Sequence, residues 1–141
     1  MSDLVIPAPL WRRLASAIYD ALVLIGIFMV IVMADLYLRR VAGLPYNAHV
    51  LQALLFLAAA LFCGRSWTRG GQTLGMRAWR LQVRRVDGGP LNWPAALSRF
   101  AFALLAWLPL GLGVLWSALD PRRRAWHDML SGTEVVLLPK P

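Results

Sequence analysis

The feature that most constrains this chain is a long apolar run from Leu14 to Leu38, with two arginines directly before it and two directly after it. At about 1.5 Å per residue, a helix of this length covers the roughly 30 Å hydrocarbon layer of a bilayer. The run ends in Tyr37, Leu38 and arginines, not in the small residues that a signal peptidase requires. We therefore predict an uncleaved membrane span here.

Composition agrees with a membrane protein. Hydrophobic residues make up 59% of the 141 residues and charged residues 16%, whereas soluble domains have roughly 45–50% and about 25%. The net charge is +8, and 14 of the 15 basic residues are arginines. Because these arginines lie at the ends of apolar runs, an anionic membrane surface explains both patterns, while nucleic acid explains only the charge. We expect the lipid bilayer and anionic headgroups as partners, and no specific nucleic acid.

A second apolar run covers residues 48–64 and follows a turn-rich connector at residues 43–47. Its length is near the lower limit for a span, but Tyr46 precedes it and Trp67 follows it, and both are typical interfacial anchors. The first two runs are therefore predicted to form an antiparallel helical hairpin.

The third apolar run, residues 100–119, contains Pro109, Gly111 and Gly113, which interrupt a helix. It is either a single kinked span or a re-entrant segment that turns back. Without Arg99, which directly precedes the run, a single crossing places eight basic residues on the side of the N-terminal tail and six on the other. Turning back places 13, now with Arg99, and two. The positive-inside rule favours turning back, with the N-terminus and the C-terminal tail 120–141 in the cytoplasm.

The connector at residues 65–94 is basic and glycine-rich, which is typical of an extramembrane segment. Apolar and polar residues alternate from Trp79 to Val83, and a turn follows at residues 87–90, so a short strand is predicted. Thr133 to Leu138 is also β-prone and is its expected partner. The predicted fold is a single domain, residues 1–141: an all-α membrane protein with a helical hairpin, a third broken segment and one short β pairing.

Two charged residues at the first span are candidates for a site. Arg13 and Asp20 are seven residues apart and so share one helix face. A carboxylate at this depth is costly and indicates a functional or structural polar contact. Alternatively, Asp20 is solvated near the headgroups, with Arg12 or Arg13 snorkelling beside it.

The segment from Asp120 to Asp128 adds two acids, three arginines and His127 at the end of the third run. No exposed nucleophile in a recognisable motif accompanies His127, and the glycine-rich residues 70–76 lack the lysine of a phosphate loop. The two histidines are far apart in sequence, and Cys63 is the single cysteine. We therefore predict no enzyme activity, no cofactor and no metal site.

Three motifs in order resemble the RDD family of small bacterial membrane proteins, which is named for one arginine and two aspartates. The matching segments are Arg12-Arg13-Leu14-Ala15 with Tyr19-Asp20, residues 67–76, and Trp126-His127-Asp128 with Ser131-Gly132-Thr133. The resemblance implies that the arginine is Arg13, that the first aspartate is Asp20 and that the second is Asp120 or Asp128. It also implies a bacterial inner-membrane location, and transport of unknown ligands has been suggested for the family.

With both tails cytoplasmic, these charges lie at one membrane face and are predicted to form one network that binds a proton, a cation or a polar solute. The candidate members are Arg13, Asp20, Asp120 and Asp128, with Arg12, Arg124, His127, Gln72 and Thr73 as supporting residues. Transport by so few helices requires a homo-oligomer or a membrane protein partner. The alternative is a non-transporting adaptor, in which the network holds the helices together and the basic connector binds anionic lipid or a partner.

Overall fold

The computed structural model describes residues 6–109 and 111–140, which form six α-helices and three short strands. In chain order the elements are β1 (Ile6–Pro7), α1 (Leu10–Ala42), α2 (Ala48–Thr68), α3 (Leu74–Ala78), β2 (Leu81–Arg85), α4 (Trp93–Trp107), α5 (Leu112–Leu115), a 3-10 turn (Trp116–Ala118), α6 (Trp126–Ser131) and β3 (Thr133–Leu137).

The first two helices form the predicted hairpin. Within the described ranges, α1 and α2 are the two single helices that are long and apolar enough to cross a membrane. Gly43 caps the C-terminal end of α1, and its left-handed φ of 66° suits a glycine. Asn47 caps the start of α2, where its side chain accepts hydrogen bonds from the N–H groups of His49 and Val50. α1 extends beyond the first predicted span at both ends, and α2 extends beyond the second at its C-terminal end. The polar residues that flank the two apolar runs also adopt helical backbone conformations.

The third apolar segment is broken where the sequence predicts. α4 begins after Asn92, whose side chain accepts the N–H of Ala95, and it ends at Trp107. Pro109 then follows, and the two helical parts of this segment meet at an angle of 104°. After this bend the chain returns towards α4, and α6 packs against α4. The segment is therefore sharply bent, a shape that fits both the broken span and the re-entrant segment that the sequence allows.

One small antiparallel sheet, ordered β1-β3-β2, joins distant parts of the chain. Val83 lies opposite Val135 in the β2–β3 pair, which confirms the predicted pairing. The strand begins two residues later than predicted, at Leu81, because Trp79 ends α3. β1 was not predicted, because two residues that include a proline give no alternation; Ile6 lies opposite Leu137. The sheet brings the N-terminal segment, the connector and the C-terminal strand to the same end of the helices.

The hydrophobic core lies at this sheet end. Ala8, Trp67, Leu81, Val83 and Val135 are buried there together. By contrast, most apolar side chains along α1 are exposed, as is expected of a helix that contacts lipid. The folding core and the membrane-facing surface are therefore separate parts of the molecule.

α3 packs directly against α1, and Gly75 makes this approach possible. A Cβ atom at Gly75 would lie 2.1 Å from the carbonyl oxygen of Ser16 and 3.0 Å from the carboxylate of Asp20. The first distance is shorter than real side-chain contacts allow, and the second is tighter than most of them. The glycine in this part of the connector is therefore required by close backbone contact, and it fixes the connector against the first span.

The sheet predicts that the two ends of the chain lie on one side of the membrane. Lys140 is the single lysine, so an impermeant amine reagent labels Lys140 and the N-terminal amine, and the variant Lys140→Arg leaves only the N-terminal amine. In spheroplasts, we expect both amines to be protected until the membrane is permeabilised, as read by peptide mapping. Labelling of one amine from outside while the other is protected would contradict the arrangement.

Candidate functional site

A buried carboxylate, Asp128, lies where three helices meet. It is the third residue of α6, and its Oδ2 atom accepts the backbone N–H of Ala125 at 3.0 Å. Oδ2 also accepts a hydrogen bond from Arg13 of α1, and Oδ1 accepts one from Arg99 of α4. Asp128 has no exposed surface, and Arg13 and Arg99 are also buried. We call these three side chains the Asp128 cluster.

The two arginines extend the cluster to neighbouring backbone and to the sheet. Arg13 donates a second hydrogen bond to the carbonyl oxygen of Arg123 at 2.9 Å, and Arg99 donates to the hydroxyl of Thr133 in β3 at 2.8 Å. The guanidinium of Arg99 also lies over the ring of Trp67, 5.1 Å from its centroid. α1, α2, α4, α6 and β3 are thus all in contact with the cluster.

The electrostatics of the cluster favour an ionised aspartate. Burial alone raises the pKa of Asp128, but the positive charges of Arg99 and Arg13 hold it well below its usual value. Next to it, burial and the charges of the same two arginines lower the pKa of His127 to about 3. The Nε2 atom of His127 lies 3.6 Å from Asp128 Oδ1. At neutral pH the cluster therefore has two positive charges, one negative charge and a neutral histidine beside it.

Arg99 is the member that the sequence interpretation missed. It directly precedes the third apolar run and was counted only as a flanking base in one of the two topologies. Its side chain is instead 2% exposed, and in the described part of the chain its Nε atom has no hydrogen-bond partner. No local signal distinguished Arg99 from an interfacial arginine, because its burial depends on the packing of α6 against α4.

Asp20 forms a separate site. Its Oδ1 atom accepts the backbone N–H of Gly75 at 2.8 Å, and its Oδ2 atom accepts the hydroxyl of Thr73. The Thr73 hydroxyl in turn accepts the N–H of Met76, which caps α3. Among the described residues, no hydrogen bond or ion pair joins Asp20 to Arg13 or Asp128. The prediction of a single network is therefore corrected. Asp128 binds the arginines and holds α6 in place, whereas Asp20 binds Thr73 and Gly75 and holds the connector.

Asp120 belongs to neither contact. Its Oδ2 atom accepts the backbone N–H of Arg124 at 2.8 Å and the Nε–H of the same residue at 3.2 Å. The first of these bonds lowers the pKa of Asp120 from its usual value. Asp120 thus stabilises the turn before α6, whereas Asp128 contacts Arg13. Of the two candidates for the second family aspartate, only Asp128 is in contact with the family's arginine in the described structure.

Arg12 and Gln72, two of the predicted supporting residues, donate hydrogen bonds to the backbone of the connector. Arg12 donates to the carbonyl oxygen of Trp79 at 3.2 Å, and Gln72 donates to the carbonyl oxygen of Leu81 at 2.8 Å. Each joins a polar side chain to the backbone beside β2. Within residues 6–109 and 111–140, no three His, Cys, Asp or Glu side chains come together in a way that could hold a metal ion.

The fold and the site define a small helical membrane protein whose extramembrane end is held by a buried arginine–aspartate cluster. The chain belongs to the RDD family, whose sequence profile matches residues 7–132 and so covers most of it. This confirms the resemblance of the three motifs. No curated protein and no solved structure matches the chain significantly.

The Asp128 cluster predicts that loss of the Asp128 charge destabilises the fold far more than loss of the Asp120 charge. Asp128→Asn keeps the shape of the side chain but leaves two buried guanidinium groups without a counter-charge, which costs about 3–5 kcal/mol. Asp120→Asn weakens one partly exposed ion pair with Arg124 and leaves no buried charge unpaired, so it is the matched control. We expect Asp128→Asn to lower the thermal unfolding temperature in detergent strongly and Asp120→Asn to change it little. Equal unfolding temperatures for the two variants would contradict a structural role of Asp128.

Proposed function

We propose that this protein is a non-transporting membrane adaptor that is held in the bilayer by its apolar helices and binds anionic phospholipid through the arginine-rich end. The observation that carries the proposal is that protein donors already occupy the buried and half-buried carboxylates. Both carboxylate oxygens of Asp128 accept hydrogen bonds from protein donors, and so do both oxygens of Asp20. Groups arranged in this way hold helices together and have little capacity left for a solute.

The distribution of the other arginines supports lipid as the partner. The sequence has 15 basic residues and seven acidic ones, so most of the positive charge has no carboxylate to pair with. The arginines of the connector lie at the sheet end of the hairpin, beside the ends of both long helices. By the positive-inside rule this end faces the cytoplasm, where the inner leaflet offers anionic headgroups. The bacterial inner membrane and a multi-pass topology are part of the same proposal.

The adaptor function predicts selective contact with anionic lipid. The seven tryptophans report lipid contact, because brominated acyl chains quench indole fluorescence. In vesicles that contain the full-length protein, we expect brominated phosphatidylglycerol to quench more effectively than brominated phosphatidylcholine, and the preference to fall at high salt. Equal quenching by the two lipids at low salt would refute lipid binding by the arginine-rich end.

Transport remains the second candidate, because Asp20 is a partly buried carboxylate within α1. The exposed apolar length of α1 also leaves room for further copies of the chain or for a membrane protein partner. In such an oligomer Asp20 would bind a proton or a cation, once its bonds to Thr73 and Gly75 opened.

Flux measurements separate the two functions. In proteoliposomes that contain the wild-type protein, the adaptor function predicts no proton, Na⁺ or K⁺ flux above that of protein-free liposomes. Wild-type flux that disappears in Asp20→Asn, while the unfolding temperature of that variant stays near the wild-type value, would establish transport instead. Asp35→Asn, in the same helix and outside both polar contacts, is the matched control.

A further inference from the structure

Three arginines gather around one pocket at the sheet end of the molecule. The pocket has a volume of about 210 Å³. Its lining residues are Arg65, Ser66, Arg69, Gln72, Leu74 and Arg77. We call it the arginine pocket.

The pocket has positive charge that nothing in the described part of the chain neutralises. Arg65, Arg69 and Arg77 are all exposed. None of them forms an ion pair or a side-chain hydrogen bond there. The arginines that do pair with acidic side chains are Arg13, Arg39, Arg84, Arg85, Arg99 and Arg124. Arg65 and Arg69 are also four residues apart, an arrangement in which like charges repel one another.

The fold brings these side chains together by reversing the chain after α2. Arg65 lies in the last turn of α2, Arg69 is the residue that ends this helix, and Arg77 lies in the last turn of α3. The reversal is fixed at Gly71, which has a φ of 69° and whose Cβ would lie 2.2 Å from the carbonyl oxygen of Val83. The pocket is therefore built by rigid contacts between the connector and the sheet.

The pocket lies where the headgroups of a bilayer are expected, at the end of a candidate membrane span. The pocket lies at the end of α2, which is long and apolar enough to span a membrane. Leu74 is 53% exposed and gives the pocket an apolar wall. A site with three arginines and an apolar wall at the end of a span fits an amphiphile that has a phosphate group and acyl chains.

We propose that the arginine pocket binds the phosphate group of an anionic phospholipid. The guanidinium groups of Arg65, Arg69 and Arg77 pair with the phosphate oxygens. The Ser66 hydroxyl donates to a further oxygen, and Leu74 contacts the glycerol and acyl region. This inference rests on the proposed adaptor function and assigns its lipid contact to one site. It differs from a diffuse attraction of the whole basic surface, because it requires these three arginines and not others.

The test compares two variants that each lose three positive charges. The first changes the pocket, Arg65→Gln with Arg69→Gln and Arg77→Gln. The control changes exposed bases outside it, Arg122→Gln with Arg123→Gln and Lys140→Gln. Native mass spectrometry of full-length protein in micelles that contain phosphatidylglycerol and phosphatidylcholine gives the dissociation constant of the first bound phosphatidylglycerol. We expect it to rise about tenfold or more in the pocket variant and to change little in the control.

The other outcomes each overturn a defined part of the inference. An equal rise in both variants means diffuse charge attraction, which refutes the pocket and leaves the adaptor function standing. A wild-type protein without preference for phosphatidylglycerol refutes the adaptor function itself. Tight binding of inorganic phosphate in micelles free of anionic lipid, lost in the pocket variant, identifies a soluble ligand and refutes the lipid. If the triple variant unfolds, Arg69→Gln alone must still weaken the first bound phosphatidylglycerol.

Discussion

The burial of one carboxylate, Asp128, determines how the parts of this chain fit together. An ionised group without exposed surface is stable only with counter-charges and hydrogen bonds close by, and here Arg13 and Arg99 supply them from two helices. Because Arg13 lies at the start of α1 and Thr133 of β3 accepts a hydrogen bond from Arg99, the first long helix and the last strand meet at the same cluster. The bend near Pro109 permits this arrangement, since α6 must return to α4 for Asp128 to reach Arg99.

Basic residues outnumber acidic ones in this chain, and this excess explains why arginine has two roles in the molecule. Seven acids cannot neutralise 15 bases, and among the described residues Asp128 is fully buried and pairs with two arginines at once. The arginines of the connector then remain at the surface, where water and counter-ions solvate them. The paired arginines of the cluster and the proposed attraction of the surface arginines for anionic lipid thus have their origin in one charge imbalance.

Local properties of the sequence were enough to predict the framework. The hairpin follows from the length and hydropathy of two runs, the break follows from Pro109 and the glycines near it, and the β2–β3 pair follows from alternation. The contacts of the site were not predictable in the same way, because they depend on which distant segments pack together. Arg99 resembled an interfacial anchor beside an apolar run, and only the return of α6 shows that it is buried. Asp20 resembled a partner of Arg13 on the same helix face, but its nearer donors come from the connector.

The contact between Asp20 and the connector also limits what a transport mechanism would require. For Asp20 to exchange a proton or a cation, its oxygens must release the hydroxyl of Thr73 and the N–H of Gly75. Those two bonds hold α3 against α1, and Arg77 lies on α3 at the edge of the arginine pocket. Opening the carboxylate would therefore move one wall of the pocket, so that a lipid bound there would oppose the movement. In the proposed functions, the connector would therefore link a lipid bound at the pocket to the first span through Thr73 and Gly75.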